Sequence, residues 1–344
     1  MNEIRTIEPF IRLGERLAEE LLDGTIEPVI RRSEAENPWF SRANVVSAIQ
    51  ARGTDMLDGR NLGSWLARYP AAGRPSDETV GIVMAGNIPL VGFFDLLCVL
   101  ICDRRCLIKP SSKDRVLIGH IVDLLREIEP RFSIGALEGK VPDRLIASGS
   151  DEARRHFASV YPDTPSLLRG HRYSVAVLSG QESDRQLDGL YDDVFSYFGL
   201  GCRNVSRIFV PRGYDLRRLC RRLSARPITH TGYLNNYRQA RAMRLLSGTE
   251  FVDGGFFLMR PGADKEGPLS EIACTSYESV GSVERLLRER DREIQCVVSA
   301  TLDHPRRVDF GQAQHPSLTD YPDGIDVMEF LLAGSPAPAD RRQL

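Results

Sequence analysis

Residues 79–112 read TVGIVMAGNIPLVGFFDLLCVLICDRRCLIKPSS. The stretch holds a short apolar run (80–85), a Gly86-Asn87 turn, a strongly apolar helix (about 90–102) and a second short run (106–109) that ends in Lys109. Strand, turn, helix, strand in this order is the unit of a parallel sheet, and runs too short and too apolar to alternate are strands buried on both faces. The helix is short of the ~20 apolar residues a membrane span needs, and it carries Asp95. It therefore reads as a buried helix of a globular core.

The pattern repeats downstream. Ser112 is placed to cap a helix bearing Val116, Leu117, Ile121, Leu124 and Leu125. A third strand (144–147) leads through Gly149-Ser150 into a helix ending near Tyr161, and a fourth strand covers 174–178. After a helix bearing Leu187, Leu190, Val194 and Phe195 comes YFGLGCRNVS (197–206), then a strand ended by Pro211. A second α/β unit follows, with helices near 214–224, 235–247 and 282–290 and strands near 250–260, 271–277 and 294–298. The segment before residue 79 reads as helices: an amphipathic one over 4–22, one over 42–58 capped by Ser41, and a short one holding Trp65 and Leu66. The expected fold class is thus α/β, two parallel-sheet domains with an N-terminal helical cap. Residues 1–198 form the helices and a ligand-binding domain, 199–332 a second domain, and 333–344 a disordered Pro/Ala/Arg-rich tail.

The totals narrow the function. The chain has 344 residues, 45 Lys and Arg against 47 Asp and Glu, and a net charge of −2, so nothing electrostatic argues for nucleic acid or an anionic membrane. Seven cysteines, irregularly spaced and without a CxxC pair, do not make a zinc site or a disulfide framework. Reduced thiols and a charged N-terminus without a signal core point to the cytoplasm.

Cys202 is the chemical candidate. It lies between Gly199, Gly201 and Arg203, so no bulky neighbour covers the thiol and a cation stands beside it. A lone cysteine is more often buried and inert. Asn87, at the end of the first strand, is placed to donate to an oxyanion, although alone it reads as a turn residue. Lys109 and Ser112 follow the second strand where a helix begins, and Gly149 and Ser150 repeat the arrangement after the third, a setting that suits phosphate or ribose. No GxGxxG is present. Cys98, Cys102 and Cys106 read as core, and His171 and His230 are possible proton donors or structural histidines.

These residues together resemble a family. VMAGNIPLVGFFDLL (83–97), LIKPSSKD (107–114), RGHRYSVAVLSG (169–180), DVFSYFGLGCRNVSRIFVP (193–211) and FGQAQHPSLTDYPDGIDVMEFL (310–331) are similar to the acyl-CoA reductases, the fatty-acid reductases of bacterial luminescence, within the aldehyde dehydrogenase superfamily. The resemblance implies an aldehyde-dehydrogenase-like fold and a Cys202 thioester, with Asn87 sharing the oxyanion hole. It implies Lys109 on the adenosine ribose, Gly149-Ser150 facing the pyrophosphate and nicotinamide, and Glu271 on the nicotinamide ribose. Where hydrolytic members carry the water-activating glutamate of E-L-G-G-K, this chain has Leu167-Leu168-Arg169-Gly170-His171, which favours acyl-CoA as substrate over a free acid. Ser112 replaces the glutamate that repels a 2′-phosphate, and with Lys113 beside it the expected cofactor is NADPH. Acyl carrier protein thioesters, acyl phosphates and a non-catalytic scaffold are the other readings. The partners implied are an acyl-CoA substrate and, by analogy, an acyl-activating enzyme or an acyl carrier protein. The long β-hairpin arm through which many superfamily members associate is not evident before residue 80, so a homo-oligomer is left open.

Overall fold

The computed structural model describes residues 2–263 and 266–333. The expected tail lies outside the described residues, apart from Ala333. Four helices open the chain: α1 (Asn2–Asp23), α2 (Glu27–Glu36), α3 (Arg42–Ile49) and α4 (Gly59–Leu66). The helix expected over 42–58 is interrupted, because Gln50–Asp55 forms a π-helical segment before Asp58 caps α4. Ser41 caps α3 as expected, its Oγ accepting from the Asn44 N–H.

The first sheet is all parallel and five-stranded. It contains β1 (Thr79–Val83), β2 (Arg105–Lys109), β3 (Ile134–Ala136), β4 (Arg144–Ser148) and β5 (Ser166–Arg169), in the order β3-β2-β1-β4-β5. Its connecting helices are α5 (Phe93–Ile101), α6 (Arg115–Ile128) and α7 (Asp151–Val160). Every residue of α5 is buried, which explains its apolar sequence without a membrane. Asp95 within it is neutralised by Arg169, whose Nη1 donates to both carboxylate oxygens at 2.9 and 2.7 Å. Among the described residues no helix is long and apolar enough to cross a membrane. Ser112 does not cap α6. The helix starts two residues later, after Asp114, while Ser111 Oγ accepts from the Lys113 N–H.

The second sheet has seven strands. It is built from β6 (Tyr173–Val177), β7 (Val205–Pro211), β8 (Val252–Asp253), β9 (Leu258–Pro261), β10 (Glu271–Tyr277), β11 (Ile294–Val298) and β12 (Arg307–Val308). Their order is β12-β11-β6-β7-β10-β9-β8, with only the β8–β9 pair antiparallel. Helices α8 (Asp184–Phe195), α9 (Leu216–Leu223), α10 (Thr231–Ser247) and α11 (Val280–Glu289) accompany it.

The boundary expected at 198/199 is corrected by this pairing. β6 bonds β7 and β11, so the chain leaves the first sheet after Arg169 and enters the second at Tyr173. Three residues make the crossing: Gly170, His171 and Arg172. The chain also returns. Leu318 and, in α12 (Val327–Leu332), Val327, Met328 and Leu331 enter the core shared by the N-terminal helices, α5 and α6. Arg144 of β4 fastens this last segment by donating to the Phe330 and Ala333 carbonyls at 2.9 and 2.7 Å. A run assigned by sequence to the second domain therefore completes the first. Leu331 is fully buried. Leu331→Ala is expected to cost about 2–5 kcal/mol, read as a lower urea midpoint at unchanged slope.

Candidate active site

A crevice of about 710 Å³ opens where the carboxyl ends of β1 and β4 face the turn between α8 and β7. Cys202 lies on it with its side chain exposed, whereas the other six cysteines, Cys98, Cys102 and Cys106 among them, are buried.

The turn that presents Cys202 is strained and tightly tied. Tyr197, Phe198 and Gly199 have φ of 52°, 58° and 75°, three successive left-handed residues of which two are aromatic. Such a conformation costs an L-residue roughly 1–2 kcal/mol each. Packing sustains it. Tyr197 is buried with its hydroxyl 3.5 Å from both Ser47 and Arg52, and Phe198 stacks on His230 at 4.4 Å. Asn204 supplies the hydrogen bonds. Its amide nitrogen donates to the carbonyls of Asp193, Val194 and Ser196, and its oxygen accepts from the Gly201 N–H at 2.8 Å. A Cβ at Gly201 would stand 2.9 Å from that oxygen, so glycine is needed for the approach. The Cys202 carbonyl is held by Ser174 Oγ at 2.9 Å.

Asn87 reaches this turn from the other sheet. Its Nδ2 donates to the Leu200 carbonyl at 2.6 Å, two residues before Cys202. A primary amide has two N–H donors, so one remains for a ligand. The expected help from Arg203 is outweighed by burial. Arg203 is buried and donates to the Ala313 carbonyl at 2.6 Å, anchoring the chain's last segment. Burial pushes the Cys202 thiol up from its ordinary value, an effect that Arg203 only partly offsets and the Asp323 carboxylate adds to. The thiol is therefore harder to ionise than that of a free cysteine.

The remaining expected site residues divide. Gly149 and Ser150 line the crevice, and Ser150 caps α7 by accepting from the Ala153 N–H at 3.2 Å. Lys109 and Ser112 are exposed near the end of β2 but outside the lining, and Lys109 Nζ sits 5.4 Å over the Phe157 ring. Their neighbours Ser111 and Lys113 do line it. Glu271 is corrected to a structural role. It lines the crevice, but its side chain is buried, both oxygens accept from Arg244 at 2.9 Å, and Arg260 pairs with it at 2.7 Å, so its charge is spent on two arginines. His230 caps α10, accepting from the Tyr233 N–H, and lies in an aromatic stack with Trp39 and Phe198. His171 is exposed on the crevice. The LLRGH segment places Arg169, not a carboxylate, at the crevice.

Sequence reasoning passed over several lining residues. Arg52 comes from the π-helical segment after α3 and Met56 from the turn that follows it, and Arg172, Gln295 and Asp323 gather from three distant segments. Only the RGHR string carried a local hint, because the others meet through topology.

No family model matches the chain, and no curated protein does. Solved structures do match. The chain is similar to aldehyde dehydrogenase 21 of Physcomitrella patens in complex with the reaction product succinate, at 11% identity over 96% of this chain and 83% of that one, TM-score 0.66. It is similar to an NAD-dependent benzaldehyde dehydrogenase of Corynebacterium glutamicum, at 15% identity over 88% and 77%, TM-score 0.65. An aldehyde dehydrogenase of Mycobacterium tuberculosis complexed with NAD+ matches at 15% over 88% and 74%, TM-score 0.64. The fold is aldehyde-dehydrogenase-like. At these identities the likeness shows the fold alone.

The Gly149–Ser150 turn brings the N-terminus of α7 to the crevice, and Lys113 lines it as a cation, a setting that suits a phosphate group. With the thiol pushed up, the expectation for labelling is definite. Iodoacetamide should modify Cys202 ahead of the six buried cysteines, at a rate still rising with pH above 9, because only the thiolate reacts. Peptide mass spectrometry of timed samples reads both site and rate. A rate that levels off below pH 7 contradicts the geometry.

Proposed function

We propose that this protein reduces an acyl-CoA, of the fatty acyl class, to the aldehyde with NADPH through a thioester on Cys202. The observation that carries the reading is an exposed cysteine two residues beyond the Leu200 carbonyl that the Asn87 amide holds, on a crevice where the LLRGH segment places an Arg169–Asp95 ion pair. A carboxylate there would activate water and drain the acyl-enzyme to an acid. An arginine does not, so the thioester is preserved for reduction.

Cys202 Sγ attacks the thioester carbonyl, whose oxygen takes up negative charge. The free N–H of Asn87 and the Cys202 backbone N–H stabilise that oxygen, and the coenzyme A sulfur departs. Preorganised donors of this kind are worth about 10²–10³ in rate each. Gly149 and Ser150, with Ser111 and Lys113 beside them, would hold the nicotinamide cofactor, which would supply the hydride. Lys113 is the cation available to a 2′-phosphate, and Ser112 next to it leaves that phosphate room. The alternative donors on the same fold are acyl carrier protein thioesters and acyl phosphates, and an acyl-activating enzyme and association of like chains are the partners proposed.

Nicotinamide oxidation followed across an acyl-CoA chain-length series tests it. Cys202→Ala should abolish both aldehyde and the mass-shifted acyl-enzyme, and turnover surviving that change refutes the reading. Asn87→Ala should lower kcat by about 10²–10³ with little change in KM. Lys113→Glu should raise KM for NADPH at least tenfold relative to NADH. An unchanged ratio would remove Lys113 from the cofactor site.

A further inference from the structure

The reaction above asks Asn87 to aim an N–H at a developing oxyanion, yet the Asn87 residue is exposed and its segment, 84–92, is neither strand nor helix. Something must fix that segment. On one side Ile88 packs with Ala48 and Tyr197, and Val91 and Leu200 join them, so apolar contact presses it against the cysteine turn. Apolar burial is non-directional and sets no hydrogen-bond angle. On the other side stands Asp114.

Asp114 occupies the position before α6 from which an aspartate ordinarily caps a helix, but its side chain makes no cap bond there. It turns instead to the 84–92 segment, where Oδ2 accepts from the Leu90 N–H at 2.8 Å. Leu90 is buried with φ 56°, a left-handed conformation that an L-residue keeps only where its surroundings hold it. Gly86, directly before Asn87, lies so close to the same loop that a Cβ would stand 2.4 Å from Ser111 Oγ and 3.4 Å from Asp114 Cβ. The loop is braced in turn. The Asp114 N–H donates to the Ser111 carbonyl at 3.1 Å, and Asn37 Nδ2 donates to the Lys113 carbonyl at 3.2 Å. Asp114 itself is buried, and its Oδ1 has no hydrogen-bond partner. Burial pushes its carboxyl up to about 8, against the pull of the Leu90 N–H and of Arg52. Near neutrality the side chain is therefore mostly the uncharged acid, and a neutral amide can stand in for it.

We propose that Asp114 is a positioning residue for the oxyanion donor. By holding the Leu90 N–H it sets the turn that carries Asn87 to the Leu200 carbonyl and, from there, toward the acyl oxygen. The catalytic consequence rests on the Cys202 reading. The mechanical one rests only on the bonds from Asp114 to Leu90 and from Asn87 to Leu200.

The experiment compares full-length Asp114→Asn, which keeps an oxygen acceptor, with Asp114→Leu, which fills the volume without one. Each is made alone and together with Asn87→Ala. NADPH oxidation with dodecanoyl-CoA reads kcat and KM. Hydrogen exchange of the 86–92 and 197–206 peptides, followed by mass spectrometry, reads the two turns. Asp114→Asn should stay within about threefold of the unaltered protein, and Asp114→Leu should lose at least about tenfold in kcat with KM little changed. On the Asn87→Ala background Asp114→Leu should cost less than about threefold more, because the group it misplaces is already gone. Losses that multiply overturn the proposal, since a merely structural role acts whether or not Asn87 is present. An Asp114→Leu protein at full rate overturns it too. In the exchange arm Asp114→Leu should speed the 197–206 peptide as much as Asn87→Ala does, and the double variant no further. Faster exchange confined to 86–92 overturns the proposal. Should Asp114→Leu fail to fold, Asp114→Ala is read by the same criteria. If the unaltered protein reduces no acyl-CoA, the substrate reading has failed, and the exchange arm alone then decides.

Discussion

One side-chain amide holds the centre of this protein. Asn204 ties the frayed end of α8 to the turn that bears Cys202, with three carbonyls on its nitrogen and one N–H on its oxygen. A buried primary amide satisfied on both sides is specific in direction as well as favourable in energy. It makes a left-handed Tyr197-Phe198 pair tolerable and leaves the thiol at the lip of the turn instead of inside it. Gly201 is glycine because that amide needs the space.

Around this turn the two sheets are coupled by contacts that cross between them. Asn87 reaches from the first sheet to Leu200, and Arg203 and Asp193 hold the 311–313 segment. Tyr321, bonded to Trp65 and Tyr69, ties that same returning chain to the N-terminal helices. The N-terminal region is therefore part of the crevice wall, contributing Arg52 and Met56 from the link between α3 and α4, and not a lid laid over a finished body.

Much of this was legible in the chain. The buried strands and α5 announced themselves by apolar runs, and Cys202, Asn87 and Gly149-Ser150 could be placed at strand ends from turn residues alone. The losses have physical causes. β3 and β5 are three and four residues long, too short for any period to appear. A parallel strand can join whichever sheet its crossover reaches, so β6 could not be assigned from its own residues. Glu271 looked like a ligand because its arginine partners, Arg244 and Arg260, lie on other elements. The positive neighbour of Cys202 was visible, but not that its guanidinium points to Ala313. Sequence adjacency fixes the distance between backbones and says nothing of where a long side chain spends its charge.

The return of the chain to the first core has a consequence for biogenesis. The wall carrying Asp323 and the helix clamped by Arg144 leave the ribosome after the turn that bears Cys202. Until they dock, the crevice around that turn lacks one of its walls, so the site takes its final shape only when the returning segment has packed against the early helices.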